Sequence, residues 1–391
     1  MKRRTNVAHS ALGYKDETVI LEVGHVSRIK VAVVGTGAIA EAAHIPGFLS
    51  CSSAELVAVV DSDAANLTTT QKLIEQHTGL QIAGYPSLTA LIASGVADAV
   101  SLAVPNAFHV PLALEAVAAG LDVLVEKPLA LTTKAAVQLK DAASKAGVVV
   151  MVGQTHRYRD DVAALKRFVD DGALGKVYHA EARILRRRGT PTGWFTELAT
   201  AGGGPLLDIG VHALDLAWWL MGKPVPTMVL GNLRRAIGND QVDFVDRWTA
   251  HMPGNQDNAV YDTEDFATAL LRFDSDATLS LTASWNVNGM EDDRIIVNLY
   301  GTKAGISLEP PAIYGVSHGV LTTTTLPVSS GNPHQKEMHH FIECVRTRQE
   351  PLSPVSDAVT VTAMLAAIQR SSEQKTAVSV GWGEESAPRR Q

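Results

Sequence analysis

The sequence predicts an α/β architecture: a doubly wound parallel sheet first, then an α+β unit with a large, mostly antiparallel open sheet. Three observations carry this. From Ile29 to about Gly153, short β-branched runs alternate with helical segments, the pattern of strands covered on both faces by crossover helices. The first run, Val31-Ala32-Val33-Val34, leads straight into Gly35-Thr36-Gly37-Ala38-Ile39-Ala40. Beyond Ala267 the texture changes to period-two alternation with turn residues between the runs.

Taken in order, strands are expected at Ile29–Val34, Leu56–Val60, Ala97–Val104, Asp122–Val125 and Val148–Val152, with weaker pairing around Gln81–Gly84. Helices are expected between them at Ala38–Ser50, Ala64–His77, Pro111–Ala119 and Thr133–Ala146. A helix over Asp160–Asp170 and a strand over Lys176–Leu185 then precede a loop bearing Gly189, Pro191 and Gly193. An apolar helix follows from about Gly202 to Trp219, then strands at Ala267–Phe273, Thr278–Trp285 and Arg294–Tyr300 with turns at Asp274–Asp276 and Gly301–Gly305. Helices near Lys336–Arg348 and Asp357–Ser372 close the chain, and Gly238–Thr263 reads as a long loop. At 391 residues two domains are expected. They are placed at 29–153 and 154–375, with an N-terminal extension at 1–28 and a C-terminal tail at 376–391.

Composition narrows the function. Hydrophobic residues at 46% and charged residues at 19% describe a globular chain with ample core. A net charge of −7 argues against a nucleic-acid surface. The two cysteines, Cys51 and Cys344, suit a reducing compartment. No apolar run is long and uninterrupted enough for a membrane span, and the Lys2-Arg3-Arg4 start lacks the apolar core of a signal peptide. The expected location is cytoplasmic. His334, His339 and His340 lack a carboxylate or cysteine at ligand spacing, so no metal is expected. Asp262, Glu264 and Asp265 read as a solvated acidic face, and Arg186-Arg187-Arg188 as a solvated strand end rather than a phosphate clamp.

The glycine turn is the first chemical signature. Gly35 permits the tight bend, Gly37 lets a pyrophosphate approach the backbone, and Ala40 keeps the following helix close to the sheet. With Thr36, Ala38 and Ile39 these residues form the mouth of a dinucleotide site at a helix N-terminus, as in a Rossmann domain. Asp61, closing the second strand, is placed to accept from the adenosine ribose hydroxyls and to repel a 2′-phosphate. NAD(H) is therefore expected over NADP(H).

The second signature is a polar line on the apolar helix. Asp208, His212 and Asp215 stand at i, i+4 and i+7, on one face, and a carboxylate one turn from an imidazole is a serviceable acid/base pair.

Gly35–Ala40, Pro105-Asn106-Ala107-Phe108-His109, Glu126-Lys127-Pro128 and Asp208-Ile209-Gly210-Val211-His212 occur in this order. In this the chain resembles the Gfo/Idh/MocA family (glucose–fructose oxidoreductase, inositol dehydrogenase, rhizopine catabolism protein). The resemblance runs from about Ile29 to Ser372. It implies hydride transfer between a nicotinamide cofactor and a secondary alcohol or ketone of a sugar or cyclitol, and a homodimer or homotetramer formed through the C-terminal sheet. On that reading Lys127, Asp208 and His212 are the catalytic residues, and all three touch substrate. His212 is the base in oxidation, Lys127 stabilises the developing alkoxide, and Asp208 orients the sugar while raising the His212 pKa. Pro105, Asn106 and His109 line the nicotinamide side, and Glu126 meets the nicotinamide ribose or braces its turn. Arg157 and Tyr158 resemble the family's substrate-facing segment. Trp194 stacks on a sugar ring or serves an interface. Two alternatives stay open: an NAD-dependent glycosidase or lyase using transient oxidation, and a non-catalytic sugar or nucleotide sensor.

Overall fold

The computed structural model describes residues 28–238, 260–290, 293–329 and 331–382. Nearly all of the expected N-terminal extension, most of the Gly238–Thr263 loop and the tail beyond 382 lie outside the described residues.

Six strands form the first sheet: β1 (Ile29–Val34), β2 (Ala54–Val60), β3 (Ala83–Tyr85), β4 (Ala99–Leu102), β5 (Asp122–Val125) and β6 (Val150–Val152). All pair in parallel, in the order β3-β2-β1-β4-β5-β6. Every residue of β4, β5 and β6 is buried, because helices lie on both faces. These are α1 (Ile45–Leu49), α2 (Ala64–Thr78), α3 (Leu88–Ser94), α4 (His109–Ala118) and α5 (Thr133–Ala146). Asp63 starts α2 by accepting from the N–H groups of Ala65 and Asn66, and Thr132 starts α5 by accepting from Ala135. The strand order reverses between β1 and β4, which opens a crevice at their carboxyl ends.

Nine strands form the second sheet: β7 (Val177–Leu185), β8 (Pro226–Arg234), β9 (Phe266–Phe273), β10 (Thr278–Ser284), β11 (Arg294–Gly301), β12 (Ala304–Leu308), β13 (Pro311–Ser317), β14 (Val320–Thr325) and β15 (Val378–Ser379). Their order is β14-β13-β12-β11-β7-β10-β9-β8-β15, and only the β7/β10 pair is parallel. The remaining helices are α6 (Asp160–Asp170), α7 (Leu198–Ala201), α8 (Val211–Leu220), α9 (Pro333–Thr347) and α10 (Val355–Gln374). Leu214 and Trp218 of α8 and Ile368 of α10 share a core with Leu271, Leu279 and Val297 of the sheet. On the opposite face Leu230 and its register partner Leu270 are exposed.

The second half of the chain does not stay with the second sheet. Met338, Phe341, Ile342 and Val345 of α9 pack on Val31, Val33, Leu124 and Met151 of the first. Two helical stretches also differ from expectation. Ala40–His44 and Leu206–Gly210 take the wider π geometry, each continuing into an α-helix, a feature frequent at functional sites. Asp208 therefore sits in a π turn and His212 in the first turn of α8.

Candidate active site

One continuous cavity of about 1170 Å³ runs along the crevice and into the space between the two sheets. The glycine turn forms one end. Gly35 adopts φ +88°, and a Cβ there would lie 2.4 Å from the Ala103 carbonyl oxygen, so no other residue fits. At Gly37 a Cβ would meet nothing within 4 Å; the space in front of this backbone is open to a ligand. Thr36 donates its N–H and Oγ1 to Asp61 Oδ2 at 2.9 and 2.7 Å, and Asp63 donates its N–H to Asp61 Oδ1 at 2.9 Å. The Asp61 carboxylate thus ties the second strand's end to the turn. Gly35, Thr36, Gly37, Ala38, Ile39 and Asp61 all line the cavity.

Further in, β5 delivers Glu126 and Lys127. Lys127 Nζ donates to the Asp208 carbonyl oxygen at 2.7 Å and to Asp208 Oδ1 at 3.3 Å, leaving one of its three N–H bonds for another acceptor. Asp208 Oδ2 accepts from Trp285 Nε1 at 2.9 Å, and Trp285 is fully buried. Both carboxylate oxygens are therefore held. His212, one turn on, lines the same cavity with its Nδ1 buried and without a partner, which leaves Nε2 toward the open space. Burial, then the charges of Lys127 and nearby cationic groups, holds its pKa well below 6.5. The net shift is downward, against the expectation that Asp208 raises this pKa, because burial and the Lys127 charge dominate. The His156 ring meets His212 edge to face at 4.8 Å between centroids.

Neighbouring residues brace this arrangement. Glu126 Oε1 is 2.9 Å from His44 Nε2, and His44 Nδ1 is 2.7 Å from Ser101 Oγ, all buried. Burial acts to raise the Glu126 pKa, but the His44 hydrogen bond and charge, with Lys127, bring it down to about 2. Glu126 is thus an anion beside the cavity. Pro105 and Asn106 line it too, and Asn106 Nδ2 donates to the Ala201 carbonyl at 2.8 Å, tying the two units together. His109 is wholly buried, with Nδ1 2.7 Å from the Pro128 carbonyl and Nε2 2.8 Å from the Val104 carbonyl. It fixes the turn that carries Lys127.

Several expectations are corrected. Arg157 does not face the cavity: it is 1% exposed, and Nε and Nη2 donate to Asp215 at 2.9 and 2.6 Å while Nη1 donates to Asp357 at 2.8 Å. Burial opposes its charge, yet these two carboxylates outweigh burial and raise its pKa. Asp215 therefore serves Arg157 and not the acid/base pair. Tyr158 is also buried, against Ser353 Oγ and Met151 Sδ. The residues of this segment that line the cavity are Thr155 and His156. Trp194 lines the cavity, stacked on Phe195 at 3.9 Å.

Of the acidic cluster only Asp262 is exposed, so it is a solvated face at that residue alone. Asp265 is fully buried, accepting from the N–H groups of Ala236, Ile237 and Gly238. Asp262 accepts from Leu198 and Glu264 from Leu206. Asp262 and Glu264 thus satisfy backbone donors in the stretch before Asp208, and Asp265 those of the segment after β8. Arg186 is likewise no solvated strand end; it lines the cavity. His44, His156 and Trp285 were not singled out from the sequence, and each is recognised only through a partner distant along the chain.

Residues 29–154 match the family described as "Oxidoreductase family, NAD-binding Rossmann fold", and residues 162–307 match the "GFO/IDH/MocA C-terminal domain". The chain belongs to the Gfo/Idh/MocA oxidoreductase family. It is 32% identical to the D-glucoside 3-dehydrogenase of Escherichia coli K12 over 357 residues, 90% of this chain and 98% of that protein. It is 27% identical over 217 residues to a levoglucosan dehydrogenase of Pseudarthrobacter phenanthrenivorans, 53% of this chain and 54% of that one. The solved structure of GenD2 from gentamicin A biosynthesis, in complex with NAD, has a TM-score of 0.73 at 28% identity, covering 91% of this chain and 97% of that one.

This Gfo/Idh/MocA oxidoreductase carries an NAD-binding Rossmann domain, and its own residues fit a dinucleotide. The open space before Gly37 would admit a pyrophosphate, and the Asp61 carboxylate at the cavity wall would accept from a ribose hydroxyl. Among the described residues no helix is long and apolar enough to cross a membrane.

Proposed function

We propose that this enzyme moves a hydride between NAD(H) and a ring secondary alcohol of a sugar, with His212, Lys127 and Asp208 as its catalytic residues. What supports the reading is one juxtaposition: Lys127, from the first sheet's edge, meets Asp208 and His212 of the second unit in the cavity that begins at the glycine turn. A bound dinucleotide supplies the hydride acceptor. His212, neutral at physiological pH, takes the hydroxyl proton on Nε2 as the carbinol becomes a ketone, and returns it in reduction. Lys127 donates its remaining N–H to the same oxygen and stabilises the negative charge that develops there. Asp208 holds the ammonium in place. The first alcohol to test is the 3-hydroxyl of a glucoside, after the name of the Escherichia coli relative.

Asp61 favours NAD(H), since its carboxylate occupies the ribose side and no Lys or Arg follows it before Lys72. The exposed Leu230 and Leu270 on the uncovered face of the second sheet support self-association there. The test is steady-state NADH formation with a panel of glucosides, aldoses and inositols, repeated with NADP. Aglycone release without net NADH would favour the transient-oxidation alternative. Better turnover with NADP would overturn the role given to Asp61.

A further inference from the structure

Beyond Lys127 and His212 the cavity continues outward, to a rim built by the end of β7, the start of β11 and the turn after β12. Trp194 and Phe195 line the same cavity with their rings stacked, 3.9 Å between centroids and 23° between planes. Phe195 packs against the core of the second sheet and backs the Trp194 ring, whose other face is the one able to take a further ring. Arg186 lines the cavity too. Its stem lies over Gly189, where a Cβ would come within 2.5 Å of Arg186 Cδ, and its main chain is pinned to Ser284 and Val287.

The charges of the lining point to the kind of group that fits. Among the described residues four Lys or Arg side chains line the cavity, and each faces a carboxylate: Lys127 with Asp208 at 3.3 Å, Arg159 with Asp161 at 2.5 Å, Arg186 with Asp293 at 2.6 Å, and Arg294 with Glu309 at 3.7 Å. A phosphate on the substrate would sit beside the carboxylate that each of these cations already faces, and that like charge disfavours it. Uncharged hydroxyls have no such conflict, because arginine donors and carboxylate acceptors both bond them.

We propose that this outer part of the cavity is a subsite for a neutral ring attached to the sugar, so that the substrate is an uncharged glycoside rather than a free or phosphorylated sugar. The inference rests on the dehydrogenase reading and names its substrate class. The attached ring is a second sugar or an aromatic aglycone; both stack on Trp194, and the assay separates them.

The experiment uses the full chain with saturating NAD. It compares kcat/KM for D-glucose, methyl β-D-glucoside, phenyl β-D-glucoside, cellobiose and glucose 1-phosphate, with calorimetric binding of phenyl β-D-glucoside and cellobiose alongside. The expected order places phenyl glucoside or cellobiose about tenfold above glucose, and glucose 1-phosphate below methyl glucoside. Trp194→Ala should collapse the ring-to-glucose ratio toward one, whereas Trp194→Phe should keep most of it. Asp293→Asn, which frees Arg186, should raise glucose 1-phosphate relative to methyl glucoside. Equal kcat/KM for glucose and the ring-bearing glycosides, preference for the phosphate, or an unchanged ratio in Trp194→Ala would overturn the proposal. Absence of NADH from every sugar, with binding of a ring-bearing glycoside that weakens in Trp194→Ala, would remove the dehydrogenase reading and support the subsite. Absence of both would overturn both.

Discussion

Replacing Arg157 by methionine separates a substrate-binding role from a structural one. The side chain is buried and makes four hydrogen bonds: two to Asp215, one to Asp357 and one to the Leu352 carbonyl. Methionine fills much of the volume but leaves Asp215, 2% exposed, with no ion-pair partner among the described residues, while Asp357 keeps Lys223 at 3.0 Å. Removing one partner of a buried pair typically costs about 3–5 kcal/mol. At roughly 2–4 °C per kcal/mol for a unit of this size, Tm should fall by about 6–20 °C. The assay is thermal unfolding by circular dichroism, with sugar KM measured well below the transition. Because Arg157 ties the segment before α6 to both α8 and α10, the loss should appear in Tm and leave KM within about threefold. Adding Asp215→Leu to Arg157→Met should recover part of the loss, since it removes the stranded charge. An unchanged Tm with a KM raised tenfold or more would refute the reasoning and return Arg157 to the substrate.

Lys127→Met and His212→Asn should each lower kcat by roughly 10²-fold or more while NAD affinity, read by fluorescence titration, stays near that of the parent; near-normal turnover in either would defeat the assignment. The acid limb of kcat/KM for alcohol oxidation should lie below pH 6.5, because the folded pKa of His212 is depressed and its base form persists as pH falls; a limb at or above 6.5 would show the imidazole to be ordinary. His156, with its pKa lowered to about 3 by burial first and then by Arg159, stays neutral where the unfolded chain takes up a proton. Its contribution to stability is present above pH 6.5 and is lost as pH falls toward 3, so His156→Phe should flatten the decline of Tm between about pH 6 and about pH 4. Gly37→Ala should fold with Tm near that of the parent yet bind NAD at least about tenfold more weakly, whereas Gly35→Ala should fail to fold or lose tens of degrees of usable range, given the Ala103 oxygen at 2.4 Å. Normal NAD binding by Gly37→Ala would place the dinucleotide elsewhere.

What could be read in the sequence and what could not divides along a physical line. The first sheet was legible because a doubly covered parallel strand is buried along its whole length and so reads as a mainly apolar run, as β4 and β5 do with one polar residue each. Lys127 and His212 were legible because a strand end and a helix face put a side chain at a known place relative to its own element. Where chemistry depends on a partner distant in sequence, local spacing is silent. Thr155–Tyr158 is a 3₁₀ turn in which successive residues point about 120° apart, so His156, Arg157 and Tyr158 cannot all face one cavity. What decides among them is that Arg157 meets carboxylates 58 and 200 positions away. The same limit hid His44 behind Glu126, 82 positions on, and Trp285 behind Asp208. β14, exposed along its whole length and rich in threonine, has no buried face to set a period. A strong polar residue read from sequence is therefore better placed by asking which buried opposite charge could claim it before asking which substrate would. Asp215 makes the case: it shares a helical stripe with Asp208 and His212, and the stripe is real, but a buried guanidinium has already taken that carboxylate, so of the three only Asp208 and His212 line the cavity.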